Sequence, residues 1–295
     1  MRTDLECVPC IIKQCINTLN LTQCSSTIAK KAIRELLKNL EGIDYSLPPA
    51  YNSDIAYSVS RELTGVKDPY YKLKKEYNKL ALEIYPKLKE IVKLSSDRLY
   101  AGVRIAVEGN VIDLGININK GSPLDFEKII DNIKNIPLAI DDYTKFRKSL
   151  DKTTNILYIS DNAGELVFDR IFIKELIKQH KNVVLSVKSG PIINDATRED
   201  VVEAGLDSLV KVIETGNDKI GVNFEHASSE FLSEFRKADL IISKGQGNFE
   251  TLDSIDANIF FILKAKCEKI ARVLGVNYLD VVMVKRRSKW GNKKV

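Results

Sequence analysis

With 295 residues, 44% of them hydrophobic and 29% charged, the chain can bury a sizeable core as one large domain or two smaller ones. No apolar run approaches the roughly 20 residues that a membrane helix needs, and Asp4 and Glu6 break the start where a secretory signal would be apolar, so a cytoplasmic protein is expected. The net charge of +5 argues against a nucleic-acid partner, because Lys285, Arg286, Arg287, Lys289, Lys293 and Lys294 gather the excess at the carboxyl end and leave the body near neutral.

Residues 1–95 read as mostly helical. Ile11, Ile12, Cys15, Ile16 and Leu19 recur at helical spacing, and Ile28, Ala32, Ile33, Leu36 and Leu37 repeat the pattern behind a Ser25 or Ser26 cap. A third helical run follows Pro48-Pro49 and ends at Thr64-Gly65. Asp68-Pro69 then opens a long charged helix that Pro86 is expected to kink or divide. Four of the five cysteines fall within the first 24 residues. Cys7 and Cys10 have the two-residue gap of zinc and redox sites, yet no second such pair follows, and His180 and His226 lie far away. Buried thiols or a structural disulfide, a second metal or cluster site completed by Cys15 or Cys24, and redox chemistry are all open readings of this pair.

From about residue 98 the pattern becomes an alternation of apolar run, polar loop and amphipathic segment. The apolar runs are 155–160, 182–187, 209–213, 239–243 and 258–263, with helices expected at 164–180, 200–204 and 228–237. Runs this apolar, spaced by helices, indicate parallel strands covered on both faces. The expected architecture is an α/β protein in three layers, α/β/α, with a mostly parallel doubly wound sheet. A helical subdomain with the cysteine cluster is expected over residues 1–97, the α/β domain over 98–284, and a solvated basic tail over 285–295.

Three loops carry the chemistry, each at the carboxyl end of an apolar run, where open α/β sheets gather ligands. In SDNAGE, Asp161 and Asn162 offer adjacent oxygen donors suited to Mg²⁺ or Mn²⁺. In KSGPIIND, Asp195 can complete a set of three oxygen ligands and Lys188 can neutralise a phosphate, although Asn194-Asp195 also reads as a helix cap. In KGQGNFE, Gly245 and Gly247 allow close backbone approach, and Lys244 and Asn248 can reach phosphoryl oxygens. Lys266, after the last apolar run, is a further phosphate candidate. There is no GxSxG elbow, no HExxH pair and no Walker A ending, which sets aside serine-triad, zincin and P-loop chemistry.

The motifs DNAGELVFD, KSGPIIND, KGQGNFETL and LKAKC, with DLECVPC, TGVKDPYYKLKKEYN and GNVIDLG before them, resemble the metal-dependent damage-control phosphatases, once known as domain of unknown function 89. The resemblance is to the archaeal and bacterial branch with an amino-terminal cysteine pair, and it covers most of the chain. It implies a helical part beside a three-layer α/β domain, and hydrolysis of small phosphorylated metabolites, such as sugar phosphates or damaged metabolites, with Mn²⁺, Ni²⁺, Co²⁺ or Mg²⁺. By motif match the metal ligands are Asp161, Asn162 and Asp195, Lys244 is a phosphate contact, and Glu165 and Asn194 support the ligands or touch substrate. Whether Asp161 is only a ligand or also a nucleophile or base stays open. The competing reading is a metabolite- or nucleotide-binding protein whose metal is structural; a cysteine-rich, RNA-associated module is a third.

Overall fold

The computed structural model describes residues 1–111, 126–291 and 293–295, so residues 112–115 of GNVIDLG lie outside it. The chain opens with α1 (Cys7–Thr22), α2 (Ser26–Leu40), α3 (Pro49–Thr64) and α4 (Tyr71–Leu94). Ser25 caps α2, its hydroxyl accepting from the Ile28 N–H at 3.3 Å. Helix α4 runs through Pro86 without division. Pro86 and Leu82, whose carbonyl loses its N–H partner, both lie on the exposed face, so the unpaired carbonyl is not shut away from solvent.

After α5 (Arg98–Val111), α6 (Phe126–Asn135), β1 (Ile140–Asp141) and α7 (Tyr143–Leu150), the alternation begins. It runs β2 (Asn155–Ile159), α8 (Glu165–Lys178), β3 (Asn182–Val187), α9 (Arg198–Glu203), β4 (Lys211–Glu214), α10 (Ser229–Lys237), β5 (Leu240–Lys244), α11 (Gln246–Leu252), β6 (Ile259–Lys264), α12 (Glu268–Leu274) and β7 (Val281–Lys285). All five expected strands are present. Strands β1 and β7 were not expected: β1 has only two residues, and β7 abuts the basic run that reads as a tail.

The sheet order is β1-β7-β6-β5-β2-β3-β4, parallel throughout except between β6 and β7. From β2 the chain winds outward through β3 to β4, then returns to β5 on the other flank of β2 and winds outward through β6. The order reverses between β2 and β5, so a crevice opens above their carboxyl ends. Strand faces alternate cleanly. Ile156, Tyr158, Leu240 and Ile242 meet α4, α5, α7 and α8 through Leu88, Ile105, Phe146, Leu166 and Phe172. Leu157, Ile159 and Ile241 meet α10, α11 and α12 through Phe231, Phe249 and Ile270.

A third core joins α1, α2 and α3 through Ile11, Cys15, Leu36, Ala56 and Val59, with Ile192 and Ile220 from the α/β loops. The sequence division at residue 97 groups α4 with these helices, whereas its Ile84, Leu88 and Val92 lie in the sheet's own core. The carboxyl end is docked rather than free: Arg286 N–H bonds Ile259 O at 2.8 Å, Lys293 N–H bonds Ser254 O at 2.7 Å, and Trp290 packs edge-on against Phe249. Aromatic burial and backbone pairing hold this end in place of the expected solvation.

Candidate active site

Asp161 follows β2 and Gly245 follows β5, one on each side of the reversal. The two loops touch. A Cβ placed on Gly245, whose φ is +80°, would lie 2.0 Å from Asp161 Oδ2. Beyond β2 and β3, the segments 161–163 and 194–196 are laced together: Ala163 N–H bonds Asn194 O at 2.9 Å, Ala196 N–H bonds Asp161 O at 2.8 Å, and Asn162 bridges Asp195 in antiparallel register. This lacing holds Ile193 at a φ of 46°, a left-handed conformation that a β-branched residue adopts only under outside constraint. Asp161, Asn162 and Asp195 thus come together although 33 positions separate Asn162 from Asp195 in the chain.

These three residues, with Asn194, line the floor of a cavity of about 700 Å³. Its far wall comes from α1 and α3, whose Cys7, Cys10, Gln14, Asn17, Ser53 and Tyr57 face the sheet edge. Lys266, Cys267 and Glu250 close one side. Sequence reasoning missed Gln14 and Asn17 of the α1 wall, Tyr57 and Glu250, and it did not bring Cys7, Cys10 and Cys267 to this cavity. A signal for the wall exists: Cys10, Gln14, Asn17 and Leu21 form a stripe at helical spacing opposite the buried Ile11, Cys15 and Leu19.

Carboxylates crowd the floor. Burial first, then the charges of Glu165 and Asp195, push the Asp161 carboxyl well above its usual range, while Lys266 and Lys244 oppose the shift. Burial likewise lifts Asp195 to about 6 against the pull of Lys188. A bound cation would relieve this crowding of negative charge. Among the described residues no group of three or more His, Cys, Asp or Glu side chains is arranged to hold a metal ion. The oxygen set here is two carboxylates and one amide, and it fits a hard divalent cation whose remaining positions go to water or substrate.

Several expected phosphate contacts lie elsewhere. Lys244 is fully buried, donating to Glu165 Oε2 at 3.0 Å and Asp169 Oδ1 at 2.6 Å, and it does not line the cavity. It shares the face of β5 that carries Leu240 and Ile242, which meet α8, so the ammonium meets the carboxylates that α8 carries at i and i+4. Lys188 is buried, donates to Gly221 O and stands 3.7 Å from Asp195 Oδ2. Asn248 is buried and ties loop to strand, donating to Ser160 O at 2.9 Å and Lys244 O at 2.8 Å. Glu165 is buried beneath the floor, and Gly245 supplies backbone against Asp161. Lys266 remains the cation of the predicted set that lines the cavity.

All five cysteines are free thiols, so Cys7 and Cys10 do not form the disulfide weighed from sequence. Each of three thiols at the cavity accepts an N–H: Cys7 from Asp4 N at 3.4 Å, Cys10 from Gln14 Nε2 at 3.6 Å, and Cys267 from Gln246 Nε2 at 3.5 Å. Cys15 is instead buried against Ser60 and Cys24 lies near Leu19 O, so neither completes the pair. Burial raises the thiol pKa of Cys7 and Cys267, and that of Cys10 to about 11, the opposite of an activated redox cysteine.

Glu250 provides a pH test. Burial lifts its carboxyl from 4.5 to about 7, against the hydrogen bond from Gln246. Between those values the folded protein keeps a proton that the unfolded chain releases, so stability is full below 4.5 and falls as the pH rises through 7. Glu250→Gln is expected to remove a fall on the order of 3 kcal/mol, read from denaturant unfolding at about pH 4 and about pH 8. A variant that keeps the wild-type pH slope contradicts the assignment.

Residues 3–282 match the family described as the damage-control phosphatase ARMT1-like domain. The chain belongs to this family. It is 40% identical to an uncharacterized protein of Methanocaldococcus jannaschii over 95% of its own length and 94% of the relative's. It is 36% identical to a damage-control phosphatase of Pyrococcus horikoshii over 98% and 100% of the two chains. The crystal structure of a protein of the domain-of-unknown-function-89 family from Pyrococcus horikoshii superposes with a TM-score of 0.89 at 35% identity, covering 97% of this chain and all of that one. Among the described residues no helix is long and apolar enough to cross a membrane.

Proposed function

We propose that this member of the damage-control phosphatase family is a divalent-metal-dependent phosphomonoesterase acting on small phosphorylated metabolites, such as sugar phosphates or damaged metabolites. The observation that carries the reading is the meeting of Asp161, Asn162 and Asp195 at the sheet's reversal point, on the floor of a cavity of about 700 Å³ that Lys266 also lines. Asp161, Asn162 and Asp195 would hold Mn²⁺, Ni²⁺, Co²⁺ or Mg²⁺. When bound, the cation polarises a phosphoryl oxygen and lowers the pKa of a coordinated water.

The chain's own residues supply the rest. The Lys266 ammonium offsets phosphoryl charge on the open side of the carboxylate cluster, within electrostatic reach of Asp161. The α1 and α3 wall encloses the organic body of the ester and limits bulk water. Five free thiols suit a reducing, cytoplasmic setting.

The test is phosphate release by protein purified without chelator, across those four metals and a panel of sugar phosphates with p-nitrophenyl phosphate. Absence of metal-dependent release from every combination, with ligand-induced thermal stabilisation retained, favours a binding protein and overturns the reading. Lys266→Met is expected to raise KM for p-nitrophenyl phosphate about tenfold or more with a smaller change in kcat. An unchanged KM removes Lys266 from the phosphate site.

A further inference from the structure

Beneath the cavity floor a chain of polar groups runs from the core to Asn162. Tyr158 Oη donates to Asp169 Oδ1 at 2.6 Å, and Lys244 Nζ donates to the same oxygen at 2.6 Å and to Glu165 Oε2 at 3.0 Å. The other Glu165 oxygen accepts from Asn162 Nδ2, which also donates to Asp161 Oδ2 at 3.1 Å. The Glu165 group that receives this amide nitrogen is held through its other oxygen by the Lys244 ammonium, so it accepts from Asn162 and does not donate to it. The amide orientation is therefore fixed: Nδ2 faces Glu165 and Asp161, and Oδ1 is turned away from them. Asn162 lines the cavity, whereas Lys244 and Glu165 do not.

We propose that Lys244 is a positioning residue, which holds the Glu165 carboxylate and through it turns the Asn162 amide so that Oδ1 serves as the neutral oxygen ligand of the site. The inference rests on the metal-dependent reading above and changes the role of the glycine-loop lysine from substrate contact to support. Lys244 is suited to that work by its surroundings, since its side chain is fully buried and two carboxylates on one face of α8 receive its protons. Two of its three ammonium protons are committed to these carboxylates and the side chain is sealed from the cavity, so contact with a phosphate requires breaking the network that orders the floor.

The experiment compares wild-type protein with Lys244→Met and Glu165→Gln, using Mn²⁺ titration calorimetry on the metal-stripped chain and steady-state kinetics with p-nitrophenyl phosphate. Glu165→Gln leaves the Lys244–Asp169 pair in place but can present an NH₂ to Asn162, which favours the flipped amide; it keeps the test decisive if Lys244→Met does not fold. Both variants, with circular dichroism confirming the fold, are expected to bind Mn²⁺ at least tenfold more weakly and to lose kcat, while KM at saturating Mn²⁺ changes less than threefold. Wild-type Mn²⁺ affinity in the folded variants overturns the proposal. A raised KM with unchanged Mn²⁺ affinity in Lys244→Met overturns it in favour of direct substrate contact. Wild-type protein that neither binds Mn²⁺ nor turns over ester refutes instead the reading on which the proposal stands.

Discussion

Asp161→Ala and Asp195→Ala are each expected to lower kcat/KM for p-nitrophenyl phosphate by about three orders of magnitude, the scale of losing one preorganised charge-stabilising group in a water-poor site. The double variant is expected to be little worse than either single one, because groups that act together on one ion fail together. Stability is expected to move the other way. Burial and neighbouring carboxylates push the Asp161 carboxyl well above its usual range, so the metal-free native state carries a crowded site that alanine relieves. Metal-stripped Asp161→Ala is thus expected to unfold at a denaturant concentration equal to or above that of the wild type. Inactivity with retained stability separates a functional cluster from a structural one. Metal content and turnover at wild-type levels would overturn the assignment of both aspartates.

The strands β2 to β6 are legible because a parallel sheet buries both faces of each strand, leaving continuous apolar runs such as Ile156–Ile159 and Ile259–Leu263. The loops at their ends are legible for a related reason: a polar residue directly after such a run must lie at the sheet's edge. What the run does not convey is direction. Lys244 and Lys266 both follow apolar strands, yet Lys244 has the parity of the α8-facing residues and turns into the core, while Lys266, beyond the end of β6, reaches the cavity. Parity was available in Leu240, Ile242 and Lys244, and the Glu165–Asp169 pair at i and i+4 in α8 completes the signal. The cavity wall is a different matter. Its thiols come from Cys7 and Cys10 and from Cys267, more than 250 positions later, and only the packing of α1 and α3 over the sheet edge brings them to one space.

Gly245→Ala is expected to damage fold and site together. At φ +80° and ψ 165° the residue occupies a region essentially confined to glycine, so alanine there carries strain of roughly 1–3 kcal/mol. The added Cβ would stand 2.0 Å from Asp161 Oδ2 and 2.2 Å from its Cγ, an overlap that must move the carboxylate or the loop, for roughly another 1–3 kcal/mol. The loop has little room to yield, since Gly245 N–H bonds Ile262 O at 2.9 Å and its carbonyl accepts from Phe249 N at 3.2 Å. Asp161 is equally constrained by the bond from Ala196 N–H to its own carbonyl. Gly275→Ala is the control: its φ is +77°, but a Cβ there meets nothing within 4 Å, so only the cost of a left-handed alanine remains, about 1 kcal/mol. Denaturant unfolding should therefore rank Gly245→Ala far below Gly275→Ala, and only the former should lose Mn²⁺ binding at temperatures where it is still folded. Equal destabilisation by the two would mean that the Asp161 loop gives way freely, and the close approach of the β2 and β5 loops would then not fix the geometry of the site.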